Sequence, residues 1–116
     1  MTDVRLPLGV IQAIIASTSA HVELGLSGRA SLPKDAGMLF VFPKTSTYGF
    51  WMKDMKFPID IVWIGENKSV VGITPKISPD TYPKIYYPPS DIRYVLELNS
   101  GGAAEYGVAT VTKLVF

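Results

Sequence analysis

The sequence predicts a mainly β fold on the border of α+β, built as a compact β-sandwich or barrel-like domain with one or two short helices. Short apolar runs rich in β-branched residues recur along the chain. Turn residues separate them, with 10 Gly and 9 Pro in 116 residues. Many short strands joined by frequent turns are typical of sandwiches and barrels. A chain of this length fits one domain, residues 1–116.

The first half of the chain contains two predicted strands around a short helix. Val10–Ile15 is a β-branched run that predicts a strand. A helix is predicted over Thr18–Leu24, with Thr18 as its N-cap and Gly25 at its end. Met38–Phe42 is wholly apolar, which predicts a central strand buried on both faces.

The second half adds five predicted strands and a second short helix. Tyr48–Met52 is a strand candidate, and Ile59–Thr74 predicts a hairpin around a loop of about five residues. Tyr94–Leu98 predicts another strand. Gly101–Tyr106 predicts a helix of one or two turns, and the alternation over Val108–Phe116 predicts a final strand.

Residues 75–92 form a Pro- and Tyr-rich segment within this domain and predict a long surface loop. Five prolines in this segment remove backbone donors, so it cannot be a continuous central strand or helix. Tyr82, Tyr86 and Tyr87 are too apolar to lie in solvent together. We expect at least one of them to pack on the strand around Trp51 or on the Tyr94 strand. That contact would form one wall of a cleft with Trp51 as its floor.

Two carboxylates lie inside apolar strands. Period-two alternation puts Asp60 on the face of Val62 and Ile64, and Glu97 on the face of Val95. A carboxylate on an apolar face costs several kcal/mol unless it is paired or hydrogen-bonded. The candidate cationic partners are Arg29, Lys53 and Arg93. Asp60 and Glu97 fit either a functional pair with shifted pKa values or two structural acceptors, and the structural interpretation is favoured. Asp60 is predicted to be buried and to accept hydrogen bonds from backbone amides or from Arg29 or Lys53.

Composition excludes several classes of function. The chain has no Cys, which excludes disulfides, thiolate nucleophiles, zinc–cysteine sites and iron–sulfur clusters. Its single histidine, His21, excludes multi-histidine metal sites. We therefore predict no metal and no cofactor. A net charge of +1 without a basic run gives no electrostatic reason to expect nucleic acid as a partner.

The N-terminal apolar stretch, Leu6–Ala16, is not predicted to be a secretory signal. Asp3 weakens its positive end, and Pro7, Gly9 and Gln12 interrupt it, whereas two short strands explain it equally well. No apolar run approaches the ~20 residues that span a bilayer. We expect a soluble domain without a transmembrane segment in this chain.

Five sequence blocks, in order along the chain, resemble the signature blocks of domain-of-unknown-function family 192. The blocks are Gly25–Arg29, Gly37–Phe42, Phe50–Lys53, Pro58–Ile61 and Tyr94–Glu97. The resemblance implies a compact β-sandwich-like fold with one or two short helices, and it supplies no reaction. It also implies a set of signature positions. These are Arg29, Trp51, Met52, Lys53, Asp60 and Glu97.

The chain departs from the family pattern in two places. Many relatives carry cysteines in the loop that matches residues 75–92, and this chain has none. Relatives usually have a Gly-Asp turn before the last strand, where this chain has Ala109-Thr110. The resemblance further implies that similar proteins are often exported or membrane-anchored.

Three functional hypotheses follow. The favoured one is a small binding module whose cleft, near Trp51 and residues 75–92, holds a small molecule, sugar or peptide; Tyr86 and Tyr87 are candidate contacts. The first alternative is a small hydrolase or lyase that uses Asp60 and Glu97. The second alternative is a structural or accessory domain that docks on a protein partner. One His, no Cys and no recognisable nucleophile arrangement favour binding over catalysis.

Overall fold

The computed structural model describes every residue from Met1 to Phe116, and it has eight β-strands and two short α-helices. The strands are β1 (Thr2–Leu6), β2 (Gly9–Ala16), β3 (Ala36–Ser46), β4 (Phe50–Trp51), β5 (Ile59–Ile64), β6 (Val70–Ile77), β7 (Ile85–Tyr86) and β8 (Ile92–Asn99). The helices are α1 (Ser19–Leu24) and α2 (Gly102–Glu105). The predicted mainly β class with two short helices is confirmed.

Six strands form one mixed sheet in the order β1-β2-β3-β8-β5-β6, and β4 pairs with β7 in a separate two-stranded ribbon. Strands β2 and β3 run parallel, and all other neighbours are antiparallel. The six-stranded sheet is open, with β1 and β6 at its edges, so it does not close into a barrel. Strand β3 lies inside the sheet and Met38, Leu39 and Phe40 are buried, which confirms the predicted central strand.

Strand β8 lies between β3 and β5 and sets which side chains share a face. Glu97 stands opposite Met38 of β3 and opposite Ile61 of β5. Residues directly opposite each other in an antiparallel pair point to the same face, and sequence neighbours point to opposite faces. Glu97 and Ile61 therefore share one face, and Asp60 lies on the other. We call these the Glu97 face and the Asp60 face.

Each face of the sheet carries its own buried core. The Asp60 face packs Val4, Leu6, Ile11, Ala13, Leu39, Val62, Ile64, Val70, Leu96, Leu98, Ala103, Val108 and Leu114. The Glu97 face packs Ala16, Leu26, Leu32, Met38, Phe40, Phe42, Met52, Ile59, Ile61, Trp63, Ile77, Ile92 and Val95. Successive residues of β3 and β8 contribute to alternate cores, which is why the start of β3, Gly37–Phe42, is an unbroken apolar run.

Helix α1 lies in the crossover between the parallel strands β2 and β3. Its N-cap is Thr18, whose hydroxyl accepts a hydrogen bond from the His21 amide at 3.2 Å. It ends at Gly25, where φ is +52° and an added Cβ would lie 3.3 Å from the Phe40 ring. Both helix ends agree with the sequence prediction. Neither helix of the protein has the length and apolar character needed to cross a membrane.

The predicted final strand over Val108–Phe116 is wrong. This segment makes only two isolated bridges, from Val115 to Arg5 and from Lys113 to Ser69. A turn precedes them, with the Thr112 amide bonded to the Ala109 carbonyl at 3.1 Å and Val111 at φ +61°. The turn interrupts the extended backbone that the alternating pattern suggested.

The predicted loop over residues 75–92 is shorter at both ends. Residues 75–77 continue β6, and Ile92 begins β8. Pro75 is tolerated in β6 because β6 is an edge strand, so no outer neighbour needs its missing amide. A 3-10 turn at Pro79–Thr81 and strand β7 lie between these ends.

Candidate functional site

A cavity of about 290 Å³ lies on the Glu97 face. Its walls come from α1 with the residues that follow it and from the segment around β4, and β3 and β8 contribute from the sheet. Five of its lining residues are aromatic: Phe40, Phe42, Tyr48, Phe50 and Trp51. The volume is close to the lower end of the roughly 300–1,000 Å³ that small-molecule sites occupy.

The aromatic rings hold one another in defined positions. Phe42 stacks on Tyr48 with ring centroids 3.7 Å apart and planes 10° apart. Phe50 meets Phe40 edge to face at 5.0 Å and the buried Trp63 at 5.7 Å. Such contacts add about 0.5–1.5 kcal/mol per pair beyond the burial of area. The rings that line the cavity are thus packed against a rigid core.

Two hydrogen bonds tie the opposite walls of the cavity together. The Ser27 hydroxyl donates to the Lys53 carbonyl at 2.9 Å. The Gly28 amide donates to the Asp54 carbonyl at 2.9 Å. Asp54, whose carbonyl accepts this bond, has a φ of +59°. The loop after α1 is therefore fixed to the residues after β4, and the cavity between them is preformed.

Glu97 lies on the sheet side of this cavity. It is 5% exposed, and its strand neighbours on this face, Met38 and Ile61, are apolar. No backbone or side-chain group of the protein donates a hydrogen bond to its carboxyl group. Burial raises the pKa of the Glu97 carboxyl from 4.5 to about 8. At neutral pH the group is thus mostly protonated, and it can donate as well as accept a hydrogen bond.

Asp60 is buried on the opposite face and is fully hydrogen-bonded. Its carboxylate accepts bonds from the backbone amides of Lys76 at 2.8 Å, Gly101 at 3.0 Å and Ala103 at 2.9 Å. The Lys76 amide reaches it because β6 carries an irregularity opposite Asp60, where Lys76 has φ +52°. The predicted burial and backbone amides are confirmed. The proposed cations Arg29 and Lys53 are wrong, because backbone groups supply all its partners.

The remaining predicted site residues are dispersed. Trp51 lines the cavity and is 46% exposed, so it lies at the rim and not on the floor. Met52 is buried in the core of the Glu97 face. The Lys53 ammonium lies 5.6 Å from the centre of the Trp51 ring without lining the cavity. Arg29 is exposed and lines a neighbouring depression beyond α1.

None of the three tyrosines of residues 75–92 lines the cavity. Tyr82 packs on Trp51, with ring centroids 5.1 Å apart, which confirms the expected contact. Tyr86 pairs with Phe50 between β7 and β4. Tyr87 is exposed beside Gly49, where an added Cβ would lie 2.8 Å from its ring. Neither Tyr86 nor Tyr87 lines the cavity.

Several lining residues were not predicted as site residues. Phe40 and Phe42 belong to the apolar run of β3 and were assigned to the core only. Val22 and Glu23 of α1 and Ser27 in the next loop also line the cavity. For the residues in and after α1, the sequence feature nearest to the cavity is the Gly25–Arg29 block. That block marks a sharp turn after a helix, and it does not say against which strand the turn packs.

The fold and cavity define a small mainly β domain with a buried carboxyl group in an aromatic cavity. The chain matches the family DUF192, described as Uncharacterized ACR, over residues 3–116, and it belongs to that family. The resemblance seen in the sequence is thereby confirmed.

Two crystal structures share this fold over nearly the whole chain. One, a "putative transcription regulator" from Sinorhizobium meliloti 1021, is 29% identical with a TM-score of 0.92, over 97% of this chain and 91% of that chain. The other, a protein of unknown function from Novosphingobium aromaticivorans DSM 12444, is 28% identical with a TM-score of 0.91, over 98% and 84%. No curated protein matches the chain. These similarities establish fold and family, and no specific activity follows from them.

Proposed function

We propose that the protein is a small-molecule-binding module whose ligand occupies the cavity beside Glu97. The observation that carries this proposal is a buried carboxyl group with no protein partner in a preformed aromatic cavity. No buried side-chain oxygen of the protein lacks a hydrogen-bond partner, so the Glu97 carboxyl group, which has none, reaches the surface of the cavity. A ligand with a complementary polar group can hydrogen-bond to it there, and the apolar part of the ligand contacts the rings.

The alternative of a hydrolase or lyase using both carboxylates has less support. Paired carboxylates in glycosidase-like chemistry must face one substrate from within ~10 Å of each other. Asp60 and Glu97 point to opposite faces of the sheet, and Asp60 is saturated by backbone amides. Docking on a protein partner remains a prediction. A nucleic-acid role has no local support either, because both charged residues lining the cavity are acidic.

The proposal is tested by NMR titration with two neutral probes, benzyl alcohol and 3,3-dimethylbutan-1-ol. For ligands of this size we expect dissociation constants of about a millimolar. Amide resonances of Gly25, Ser27 and Gly49 should shift, because these residues line the cavity. The indole resonance of Trp51 should shift more than that of Trp63, which is buried and donates to Thr74 at 2.9 Å.

A pair of substitutions on α1 supplies the control. Val22→Phe puts extra volume into the cavity, since Val22 lines it. Ala20→Phe adds the same ring at an exposed position of the same helix. We expect the first variant to lose binding and the second to retain it. Equal binding by both, or shifts spread over the whole surface, would contradict the proposed function.

A further inference from the structure

We propose that the ligand of this cavity is a small organic cation, an ammonium group on a short apolar body, which deepens the proposed function and rests on it. The first support is the charge of the lining. The only acidic or basic side chains among the lining residues are the carboxyl groups of Glu23 and Glu97. None of the 11 Lys and Arg residues lines the cavity. An anionic ligand would meet only like charge there.

The aromatic rings are a second, independent support. The face of an aromatic ring carries negative partial charge and attracts a cation within ~6 Å of its centre. Five rings line the cavity, and Trp51 at its rim already has the Lys53 ammonium 5.6 Å from its centre. Trp is the ring that binds cations best. An alkylated ammonium group combines positive charge with an apolar surface, which matches a lining of rings and one buried acid.

The unpartnered Glu97 carboxyl is the third support. It is at least nine-tenths buried and receives no hydrogen bond from the protein. Burial disfavours its ionised form, and an adjacent positive charge favours that form. A bound cation would therefore supply the counter-charge that the protein does not. Two carboxylates among rings are a poor site for Ca²⁺ or Mg²⁺, which require six or more oxygen ligands.

Cation binding is expected to be linked to loss of a proton from Glu97. The free protein holds this proton up to about pH 8, and the ion pair forms when it passes to water. The other titratable groups that line the cavity are Glu23 on α1 and Tyr48 before β4. The flanking strands β3 and β5 place only the apolar Met38 and Ile61 beside Glu97. No neighbouring charge contributes to the raised pKa of Glu97.

The test compares choline with its neutral isostere, 3,3-dimethylbutan-1-ol, by calorimetry between pH 6 and pH 9. Choline keeps its charge throughout this range, so any pH dependence belongs to the protein. At pH 9 we expect choline to bind about tenfold or more tightly than the isostere. Its affinity should fall towards pH 6, approaching tenfold per pH unit below pH 8, with about one proton released at pH 7. The isostere should show no such loss.

Two variants assign the effect to Glu97. Glu97→Gln keeps the size of the side chain and removes its titration, so choline should lose its advantage and its pH dependence. Glu66→Gln removes the same charge on the turn between β5 and β6, where Glu66 pairs with Arg93 at 3.3 Å, and should behave as wild type. A choline preference that persists in Glu97→Gln would overturn the inference.

The failure of this inference is distinguishable from that of the proposed function. If the isostere binds in the cavity and choline binds equally or more weakly at pH 9, the cavity is a ligand site but not a cation site. If neither compound binds the wild-type protein, or if Val22→Phe binds the isostere as tightly as wild type does, the proposed function fails as well.

Discussion

Adjacent strands at the centre of the sheet each carry one buried carboxyl group, and the two groups differ in every other respect. Asp60 on β5 accepts three backbone amide bonds and packs among apolar residues of a closed core. Glu97 on β8 accepts none and borders an aromatic cavity. Both carboxyl groups are buried and have apolar neighbours in their strands, so burial alone does not distinguish a structural carboxylate from a functional one. The number of hydrogen-bond donors within reach of each carboxyl group distinguishes them.

The largest effect is expected at Asp60. Asp60→Ala leaves three backbone amides without an acceptor, that of Ala103 buried and those of Lys76 and Gly101 partly buried, and each bond to a charged group contributes about 1.5–3 kcal/mol. We expect a loss of about 4 kcal/mol or more in the free energy of unfolding, measured by urea denaturation. Asp60→Asn, which keeps one acceptor oxygen, should lose less and remain folded. Asp91→Ala, at an exposed carboxylate, is the matched control. A loss below ~1 kcal/mol in Asp60→Ala would contradict the structural role of Asp60 and its contrast with Glu97.

Leu39 and Phe40 compare the two faces within one strand. Leu39 packs in the core of the Asp60 face, and Phe40 packs in that of the Glu97 face and lines the cavity. Each substitution to Ala should cost ~2–5 kcal/mol in chemical denaturation. Only Phe40→Ala should also change the binding of 3,3-dimethylbutan-1-ol. If both changes cost less than ~1 kcal/mol, β3 is not the centre of either core.

Glu97→Gln should raise stability, and the effect should depend on pH. In the unfolded chain Glu97 ionises near its usual value of 4.5, whereas in the folded protein it stays protonated to about pH 8. Between these values the unfolded state holds fewer protons, so the free energy of unfolding falls as pH rises. The fall is roughly 1 kcal/mol per pH unit. The variant should match wild type at pH 4 and exceed it by roughly 3–4 kcal/mol at pH 9, because Gln does not ionise. Parallel pH profiles for the two proteins would contradict the raised pKa.

The smallest stability effects are expected at the rim. Trp51→Ala and Tyr87→Ala remove exposed side chains, so each should change the free energy of unfolding by less than about 1 kcal/mol. Trp51→Ala should nevertheless weaken choline binding severalfold, because it removes a lining ring. Thermal unfolding and calorimetry on the same samples separate the two effects. A stability loss of ~2 kcal/mol or more at Trp51 would make the rim a structural element.

Local sequence patterns predict much of the fold, whereas contacts between residues far apart in the sequence determine which residues meet at the site. The caps of α1 and the hairpin of β5 and β6 depend on neighbouring residues, and both predictions agree with the structure. Alternation placed Asp60 on the face of Val62 and Ile64, and Glu97 on the face of Val95, but it could not relate the two strands; their pairing puts the two carboxyl groups on opposite faces. Alternation also could not show which backbone amides would meet Asp60, because two of them belong to Gly101 and Ala103, some 40 residues further along the chain.

The cavity itself was beyond sequence reasoning for the same reason. Its walls come from α1 and from the segment around β4, and these approach each other because Ser27 and Gly28 bond to residues 53 and 54. Trp51 and Glu97 were singled out as candidates and do share the cavity. The Tyr-rich composition of residues 75–92 predicts Tyr86 and Tyr87 as ligand contacts. Tyr86 pairs with Phe50 in the ribbon of β4 and β7, and neither tyrosine lines the cavity.

The position of β8 also determines when the sheet can form during synthesis. Strands β3 and β5 do not pair with each other, and both pair with β8. Until residues 92–99 have been translated, the strands of the six-stranded sheet can form only the group β1-β2-β3 and the separate hairpin β5-β6, each with an unpaired inner edge. Unpaired edges bind other strands, and partly folded chains that expose them aggregate. The strand that carries Glu97 therefore joins the two groups of strands only after both have been translated, and until then the inner edges of β3 and β5 are unpaired.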